Sequence, residues 1–180
     1  IYSILSGDSS YLEKLTMSMP PSQLGTSYLN FIASHDGIGL RPAESFLSQD
    51  EINRFIEQME NNGGKVSYRS NNTDTPEPYE INISLYDAMT VAFNKESHLG
   101  LERFICIHSI MLSLEGVPAL YIHSLFGTKN DYELFDKTKQ NRSLNRGKIK
   151  YKDIDLLDKS KNQTKIFNKL KTLSNIRKRQ

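Results

Sequence analysis

Short apolar segments alternate with polar loops along this chain, and their spacing predicts alternating helices and strands. Residues 28–33 (YLNFIA) and 118–122 (PALYI) are almost entirely apolar, as is typical of strands buried on both faces of a parallel sheet. Residues 101–115 are apolar on nearly all sides and predict a deeply packed helix. A last helix, over about residues 163–180, is expected to bury an apolar stripe of Ile166, Phe167, Leu170, Leu173 and Ile176.

The region between residues 37 and 83 has a different pattern, and we interpret it as a small inserted α+β subdomain. Ser48 and Glu51 have the spacing of a capping box, which predicts a helix through Met59 that ends at Asn62-Gly63-Gly64. The elements predicted after that helix are a strand at 65–70, a loop at 71–78, an extended segment at 79–82 and a helix at 84–93.

The order of the elements indicates an α/β protein with parallel strands. Only two core strands are evident, which is too few to close a sheet. Two βα units and a preceding helix fit the final quarter or third of a (β/α)8 barrel. We therefore predict a partial TIM barrel that carries the inserted subdomain.

Composition places the chain among soluble globular proteins, because 37% of its 180 residues are hydrophobic and 24% are charged. No apolar run is long enough to span a membrane. The chain begins with Ile1 rather than Met, so we expect it to be part of a longer protein. The single cysteine, Cys106, is expected to be a buried small hydrophobe, and a cytoplasmic location fits. The scattered histidines and lone cysteine predict no metal site, and no cofactor is expected.

Charge is distributed unevenly along the chain. The segment from Lys137 to Gln180 holds 15 Lys or Arg and 3 Asp, a net of +12, although the whole chain carries only +2. One interpretation is a nucleic-acid-binding module that uses the basic C-terminal helix. We favour the solvated outer face of a surface helix, since the lysines alternate with an apolar stripe and no aromatic residues are interleaved for base stacking.

The strongest candidate for chemistry is the couple His35-Asp36, which directly follows the first apolar strand. In a barrel, the C-terminal end of a strand lies at the active-site face. A carboxylate and an imidazole there can hold sugar hydroxyls and stabilise an oxocarbenium-like transition state. The alternative is an Asx turn with a capping aspartate. Spacing alone leaves both interpretations open.

Two further polar groups are weaker candidates. Arg142 and Arg146 lie in the segment NRSLNR and suit phosphate, because guanidinium groups are planar forks of hydrogen-bond donors. They could also be ordinary surface charges. Tyr79 and Glu80 form a polar pair after a flexible loop, and they could equally be a strand edge.

Four segments together resemble the sucrose phosphorylase branch of glycoside hydrolase family 13. They are NFIASHDGIGLRPAE (30–44), PYEINISLYDAM (78–89), EGVPALYIHSLFGTKNDYE (115–133) and NRSLNR (141–146). The resemblance spans essentially the whole chain and implies that it covers barrel strands seven and eight with helices six to eight. The implied divisions are residues 1–36 for helix six and strand seven, 37–83 for the inserted subdomain, and 84–180 for helix seven, strand eight, the active-site loop and helix eight.

The resemblance also implies roles for individual residues. Asp36 matches the transition-state-stabilising aspartate and His35 the sugar-binding histidine. Arg146 matches an arginine associated with phosphate or acceptor binding, with Arg142 as its neighbour. Tyr79 and Glu80 fall on the mobile acceptor-site loop. Sucrose phosphorylases commonly have Gln in place of Glu80, and the sequence of this segment is more similar to that of glucosylglycerate phosphorylases.

The implied activity is phosphorolysis of an α-glucoside to α-glucose 1-phosphate, with glycerate or another small polyol as the acceptor. The partners would then be a small carbohydrate, inorganic phosphate and the rest of the barrel. The family's nucleophilic aspartate and general-acid glutamate lie on strands absent from this chain, so the isolated chain is expected to be inactive. A hydrolase or transglucosidase of the same family, or a non-catalytic relative, remains an alternative.

Overall fold

The structure is a computed structural model that describes residues 1–70, 76–151, 154, 158 and 160–178. Within these residues the α-helices are α1 Tyr2–Ser6, α2 Ser10–Ser18, α3 Gln49–Asn61, α4 Leu85–Ala88, α5 Gly100–Ser113, α6 Ile122–Leu125, α7 Tyr132–Thr138 and α8 Asn162–Arg177. The strands are β1 Leu29–Asn30, β2 Ile38–Gly39, β3 Lys65–Arg69, β4 Glu77–Asn82 and β5 Val117–Pro118. Two 3-10 helices cover Arg41–Ala43 and Asn141–Asn145.

Strands β1 and β5 form a two-stranded parallel sheet in which Leu29 faces Val117 and Asn30 faces Pro118. Parallel pairing of the two apolar segments agrees with the prediction, but their length and burial do not. Each strand has only two residues, and Leu29 is 63% exposed and Val117 56% exposed. These strands pair only with each other within the described residues. The prediction of strands buried on both faces was therefore wrong.

The second sheet is antiparallel, with β4 between β2 and β3. Helix α3 precedes β3 and begins at the predicted capping box, in which Ser48 accepts from the backbone of Glu51 and the Glu51 side chain accepts from the backbone of Ser48. Its buried face presents Ile52, Phe55 and Met59. The sheet and this helix occupy the region predicted as an inserted subdomain.

One hydrophobic core includes residues of this region and residues of the later helices. Phe55, Met59 and Ile81 cluster with Phe104 of α5 and Ile166 of α8. Positions 37 and 83 therefore do not separate two cores. The three-part division of the chain stays a prediction.

Helix α4 is shorter than the predicted helix at 84–93. Ser84 caps its start by accepting from the backbone of Asp87. The carbonyl groups at its last residue and beyond bind side chains instead of a further helical turn: Asn62 donates to Ala88 and Val91, and Arg103 donates to Met89 and Thr90. These long-range contacts stop the helix early.

Helices α5 and α8 pack together, and Arg177 of α8 donates to the carbonyl groups of Leu112, Leu114 and Gly116 at the end of α5. This satisfies carbonyls that a helix end leaves without partners. Cys106 on α5 is exposed, so the prediction that it is buried was wrong. It lies on the side of α5 away from the buried residues Phe104, Ile107 and Met111, among others of that helix.

The described part of the chain contains no helix that is both long and apolar enough to cross a membrane. In the same part, no three or more His, Cys, Asp or Glu side chains gather closely enough to hold a metal ion.

Candidate functional site

The backbone makes a tight turn between β1 and β2, and this turn presents His35 and Asp36. Ser34 and Gly37 bond to each other in both directions at 3.3 and 3.1 Å, and the Ser34 hydroxyl accepts from the backbone of Asp36. Gly37 has a φ of +115°, and a Cβ there would lie 2.2 Å from the carbonyl oxygen of Ile81. Only glycine fits such a position. The local turn is thus held by Ser34, and the carboxylate of Asp36 is free to make other contacts.

Two arginines from the loop after α7 contact that carboxylate. Arg146 donates from Nη2 to Asp36 Oδ1 at 2.7 Å, and Nη1 of Arg142 lies 3.2 Å from the same oxygen. The imidazole of His35 is also near Oδ1, at 3.4 Å. Within the described residues no hydrogen bond reaches Oδ2. The described residues therefore hold the carboxylate through Oδ1, and Oδ2 is available to a ligand.

Glu80 is the buried member of this cluster. Its side chain is only 7% exposed. Its carboxylate accepts hydrogen bonds from Nε and Nη2 of Arg142, at 3.0 and 2.9 Å. Such a bidentate pair is a strong and geometrically specific contact. The hydrogen bonds to Glu80, together with the charges of Glu80 and Asp36, raise the pKa of Arg142 above its ordinary value. Arg142 is thus permanently charged and held between two carboxylates.

Asn82 connects Glu80 to the turn that carries Asp36. Its amide nitrogen donates to the carbonyl of Asp36 at 2.6 Å and to Glu80 Oε1, and its own oxygen accepts from Ser67. Asn82 is fully buried and Glu80 is nearly so. The two residues are two positions apart on β4, which places them on the same face of the strand.

The 3-10 helix Asn141–Asn145 positions both arginines. Asn141 donates to the carbonyl of Val66 at 3.0 Å, and Asn145 donates to the carbonyl of Ser34 at 2.9 Å. The Tyr121 hydroxyl donates to the carbonyl of Asn145, and burial raises the pKa of Tyr121. These contacts anchor the arginine-bearing segment to β3 and to the turn that carries Asp36.

The structure brings five of the six predicted site residues together and leaves Tyr79 at the edge. Tyr79 is partly buried, and its carbonyl accepts from the backbone of Leu40. Its side chain makes no hydrogen bond to the described residues of the cluster. Sequence reasoning missed Asn82, and it gave no role to Asn145 although that residue lies in the segment NRSLNR. The signal for Asn82 was a second polar residue, two positions after Glu80, in a strand that is otherwise apolar at its end.

This arrangement suits recognition of polyhydroxylated and anionic molecules. A carboxylate oxygen accepts from hydroxyl groups, and guanidinium groups donate to phosphate or carboxylate oxygens. Asp36, Arg142 and Arg146 remain between 37% and 39% exposed, so a small molecule can reach them.

Comparison with known proteins reveals clear relatives. The chain is 37% identical over 164 residues to the glucosylglycerate phosphorylase of Escherichia coli, which covers 90% of the chain and 29% of that protein. It is 39% identical over 154 residues to the glucosylglycerate phosphorylase of Spirochaeta thermophila, covering 82% of the chain and 25% of the relative. The chain is a homologue of the glucosylglycerate and sucrose phosphorylases.

A sucrose phosphorylase of Streptococcus mutans is 26% identical over 148 residues. The chain thus spans less than a third of the length of these phosphorylases. No model of a protein family matches the chain.

A solved structure supports the same relationship at the level of the fold. The sucrose 6F-phosphate phosphorylase of Thermoanaerobacter thermosaccharolyticum superimposes with a TM-score of 0.77 at 18% identity, over 96% of this chain and 32% of that enzyme. The chain therefore has the fold of part of that phosphorylase. It is mixed α/β, and its described residues do not form a closed barrel.

Proposed function

We propose that the protein containing this chain is a retaining α-glucosyl phosphorylase that cleaves an α-glucoside with inorganic phosphate and releases α-glucose 1-phosphate. The acceptor released from the glucose would be glycerate or another small polyol. The relatives that are 37% and 39% identical are glucosylglycerate phosphorylases, which supports this acceptor class. The observation that carries the proposal is Asp36, held at one oxygen by Arg142 and Arg146.

In this proposal the chain forms the part of a (β/α)8 barrel around strands seven and eight. The turn with His35 and Asp36 would follow strand seven, where barrel enzymes place catalytic residues. Strand β5 would be strand eight, and the 3-10 helix Asn141–Asn145 would belong to the active-site loop after it. The upstream part of the protein would supply the remaining strands, the nucleophile and the general acid.

Asp36 would stabilise the transition state. As the glycosidic bond breaks, positive charge develops on the sugar ring, and a carboxylate beside it becomes more favourable than in the ground state. The free Oδ2 can also accept hydrogen bonds from sugar hydroxyl groups. His35, with its side chain 65% exposed beside Asp36, would donate to or accept from a further hydroxyl.

Arg146 would contact phosphate. Its guanidinium lies beside the carboxylate that faces the sugar, and a planar fork suits a tetrahedral oxyanion. Phosphate then attacks the anomeric carbon of the glucosyl-enzyme, the bond to the upstream carboxylate breaks, and α-glucose 1-phosphate leaves. Two substitutions with inversion give net retention.

The test is the fate of the glucosyl group in the full-length protein. Glucosylglycerate is supplied with increasing phosphate, and glucose 1-phosphate and free glucose are measured separately. We expect glucose 1-phosphate to increase with phosphate, and the isolated 180 residues to be inactive. Free glucose as the main product at saturating phosphate would contradict phosphorolysis and favour a hydrolase. The cytoplasmic location and the absence of a nucleic-acid partner stay predictions.

A further inference from the structure

The charged groups of the cluster balance one another but are not equivalent. Asp36 and Glu80 supply two negative charges, and Arg142 and Arg146 supply two positive charges. Glu80 has its side chain 7% exposed, whereas the other three are between 37% and 39% exposed. Glu80 is therefore the inner member of the cluster, and the outer three border solvent.

The two arginines differ in how their nitrogens are used. All three nitrogens of the Arg142 guanidinium face protein carboxylates, with Nε and Nη2 on Glu80 and Nη1 on Asp36. Arg146 gives Nε to the carbonyl of His35 and Nη2 to Asp36, and its Nη1 makes no hydrogen bond within the described part of the chain. The guanidinium edge that is still open to a ligand thus belongs to Arg146.

Glu80 is itself held in place. Asn82 donates to its Oε1 and to the carbonyl of Asp36, so one amide joins the base of the cluster to the turn that carries Asp36. Asn82 thus holds Glu80, Glu80 holds Arg142, and Arg142 contacts the carboxylate of Asp36.

We propose that Glu80 is a positioning residue, which holds Arg142 against Asp36 so that Arg142 orients that carboxylate and Arg146 is left to contact phosphate. This inference rests on the proposed function, and it departs from a direct role of Glu80 or Arg142 in substrate binding. Both Glu80 oxygens are occupied by protein donors, and the charge of Arg142 is neutralised by the protein.

The variant Glu80→Gln tests this most sharply. Glutamine keeps the shape but replaces one carboxylate oxygen with an NH2 group, which is a donor facing a donor of Arg142. One of the two bonds is lost and Arg142 is released from its fixed position. We expect kcat for phosphorolysis by the full-length protein to fall about 100-fold, because small misplacements of a catalytic group have effects of that size. The KM for phosphate should change little.

Glu77→Gln is the matched control. Glu77 lies on the same strand and also pairs with an arginine, Arg69 at 3.1 Å, but both side chains are exposed and neither contacts the cluster. This variant should keep the wild-type kcat and KM. Equal kinetics for Glu80→Gln and Glu77→Gln would overturn the proposal.

Lysine substitutions separate the roles of the two arginines. Lysine keeps the charge but loses the planar fork. Arg142→Lys should lower kcat and leave the KM for phosphate within about 3-fold of the wild-type value. Arg146→Lys should raise the KM for phosphate by about 10-fold or more, which is the effect of losing one charge-assisted hydrogen bond. A raised KM for phosphate with unchanged kcat in Arg142→Lys would make Arg142 a phosphate ligand and refute the inference.

A double variant keeps the test valid if a single change harms folding, since removing one partner of a buried pair leaves the other charge uncompensated. Glu80→Gln with Arg142→Gln removes both charges. If Glu80 acts through Arg142, the double variant loses no more kcat than Glu80→Gln alone or Arg142→Gln alone. Losses that multiply would show independent roles and refute the inference.

The order of measurements separates the two claims. Phosphate-dependent turnover by the wild-type protein is established first, and its absence contradicts the proposed function alone. The same variants are then compared on hydrolysis of the glucoside, where a loss of kcat in Glu80→Gln but not in Glu77→Gln still supports positioning of Asp36, and equal rates reject it.

Discussion

At the scale of the residue, the contacts of Asp36 converge on a single oxygen. Arg146 and Arg142 lie 2.7 and 3.2 Å from Oδ1, and no hydrogen bond from the described residues reaches Oδ2. Two cations on one side fix the direction of the carboxylate. The other oxygen is then available to a ligand in a defined orientation, which is how electrostatic preorganisation operates.

Asp36→Asn removes the charge and keeps the size of this side chain. We expect kcat for phosphorolysis in the full-length protein to fall by about 100- to 1000-fold, because a neutral amide cannot stabilise the positive charge of the transition state. Steady-state kinetics with saturating phosphate measures the effect. Asp136→Asn is a suitable control, since Asp136 is exposed and pairs only with Lys139 among the described residues. A loss below about 3-fold would show that Asp36 has no such role.

Asp87 leads to a prediction on stability. Its Oδ2 accepts from the backbone of Asn130 at 2.6 Å, but burial dominates and raises the pKa of Asp87 above its ordinary value. A carboxyl group with a raised pKa in the folded state stabilises the fold below the pKa of the unfolded chain, and this contribution is lost as the pH rises through the folded pKa.

The variant Asp87→Asn should therefore become more stable relative to the wild type as the pH rises from about 4 to 7. Asparagine can still accept from Asn130 without burying a charge. Urea denaturation at several pH values measures the difference in the free energy of unfolding. A difference that is independent of pH, or that shifts in favour of the wild type as the pH rises, would contradict this assignment.

At the scale of the element, strand β4 connects the core to the site. Ile81 faces the core and is fully buried, while Glu80 and Asn82 face the turn of Asp36. The turn approaches β4 closely at Gly37, where a Cβ would lie 2.2 Å from the carbonyl of Ile81. The position of Asp36 thus depends on a backbone contact that only glycine permits.

Gly37→Ala should push the turn away from β4. We expect a loss of about 1–3 kcal/mol in the free energy of unfolding, from the strained φ and the clash, together with a fall in kcat as Asp36 is displaced. Gly39→Ala is the matched control, because its nearest neighbour would be Pro42 at 3.9 Å and its φ is not positive. Denaturation and kinetics on both variants measure the effect, and equal behaviour would contradict the argument.

The helices were easier to predict than the strands because their signals are local. The capping box of Ser48 and Glu51 located the start of α3, and the apolar stripe located α8, whose Ile166 and Leu170 are fully buried. The prediction was wrong for Ile176, which is 50% exposed near the end of that helix. The predicted end of helix 84–93 was wrong, since Arg103 and Asn62 bind carbonyls from distant positions. Burial of the apolar strands depends on covering layers that periodicity does not reveal.

At the scale of the whole molecule, the cluster joins segments that are far apart in sequence. Arg146 contacts Asp36 across 110 positions, and Arg142 contacts Glu80 across 62. The sequence predicted each of these residues separately, and the resemblance to a known family predicted that they belong to one site. The pairing of Glu80 with Arg142 could not be predicted, because neither spacing nor residue type shows which carboxylate a guanidinium selects.

The stereochemistry and phosphate dependence of glucosyl transfer are the decisive test of the proposed phosphorylase activity. The full-length protein is incubated with glucosylglycerate and phosphate, and the products are followed by proton and phosphorus NMR before any free glucose can mutarotate. We expect α-glucose 1-phosphate to appear only when phosphate is present. Formation of the β-anomer, or of free glucose at the same rate with and without phosphate, would contradict a retaining α-glucosyl phosphorylase.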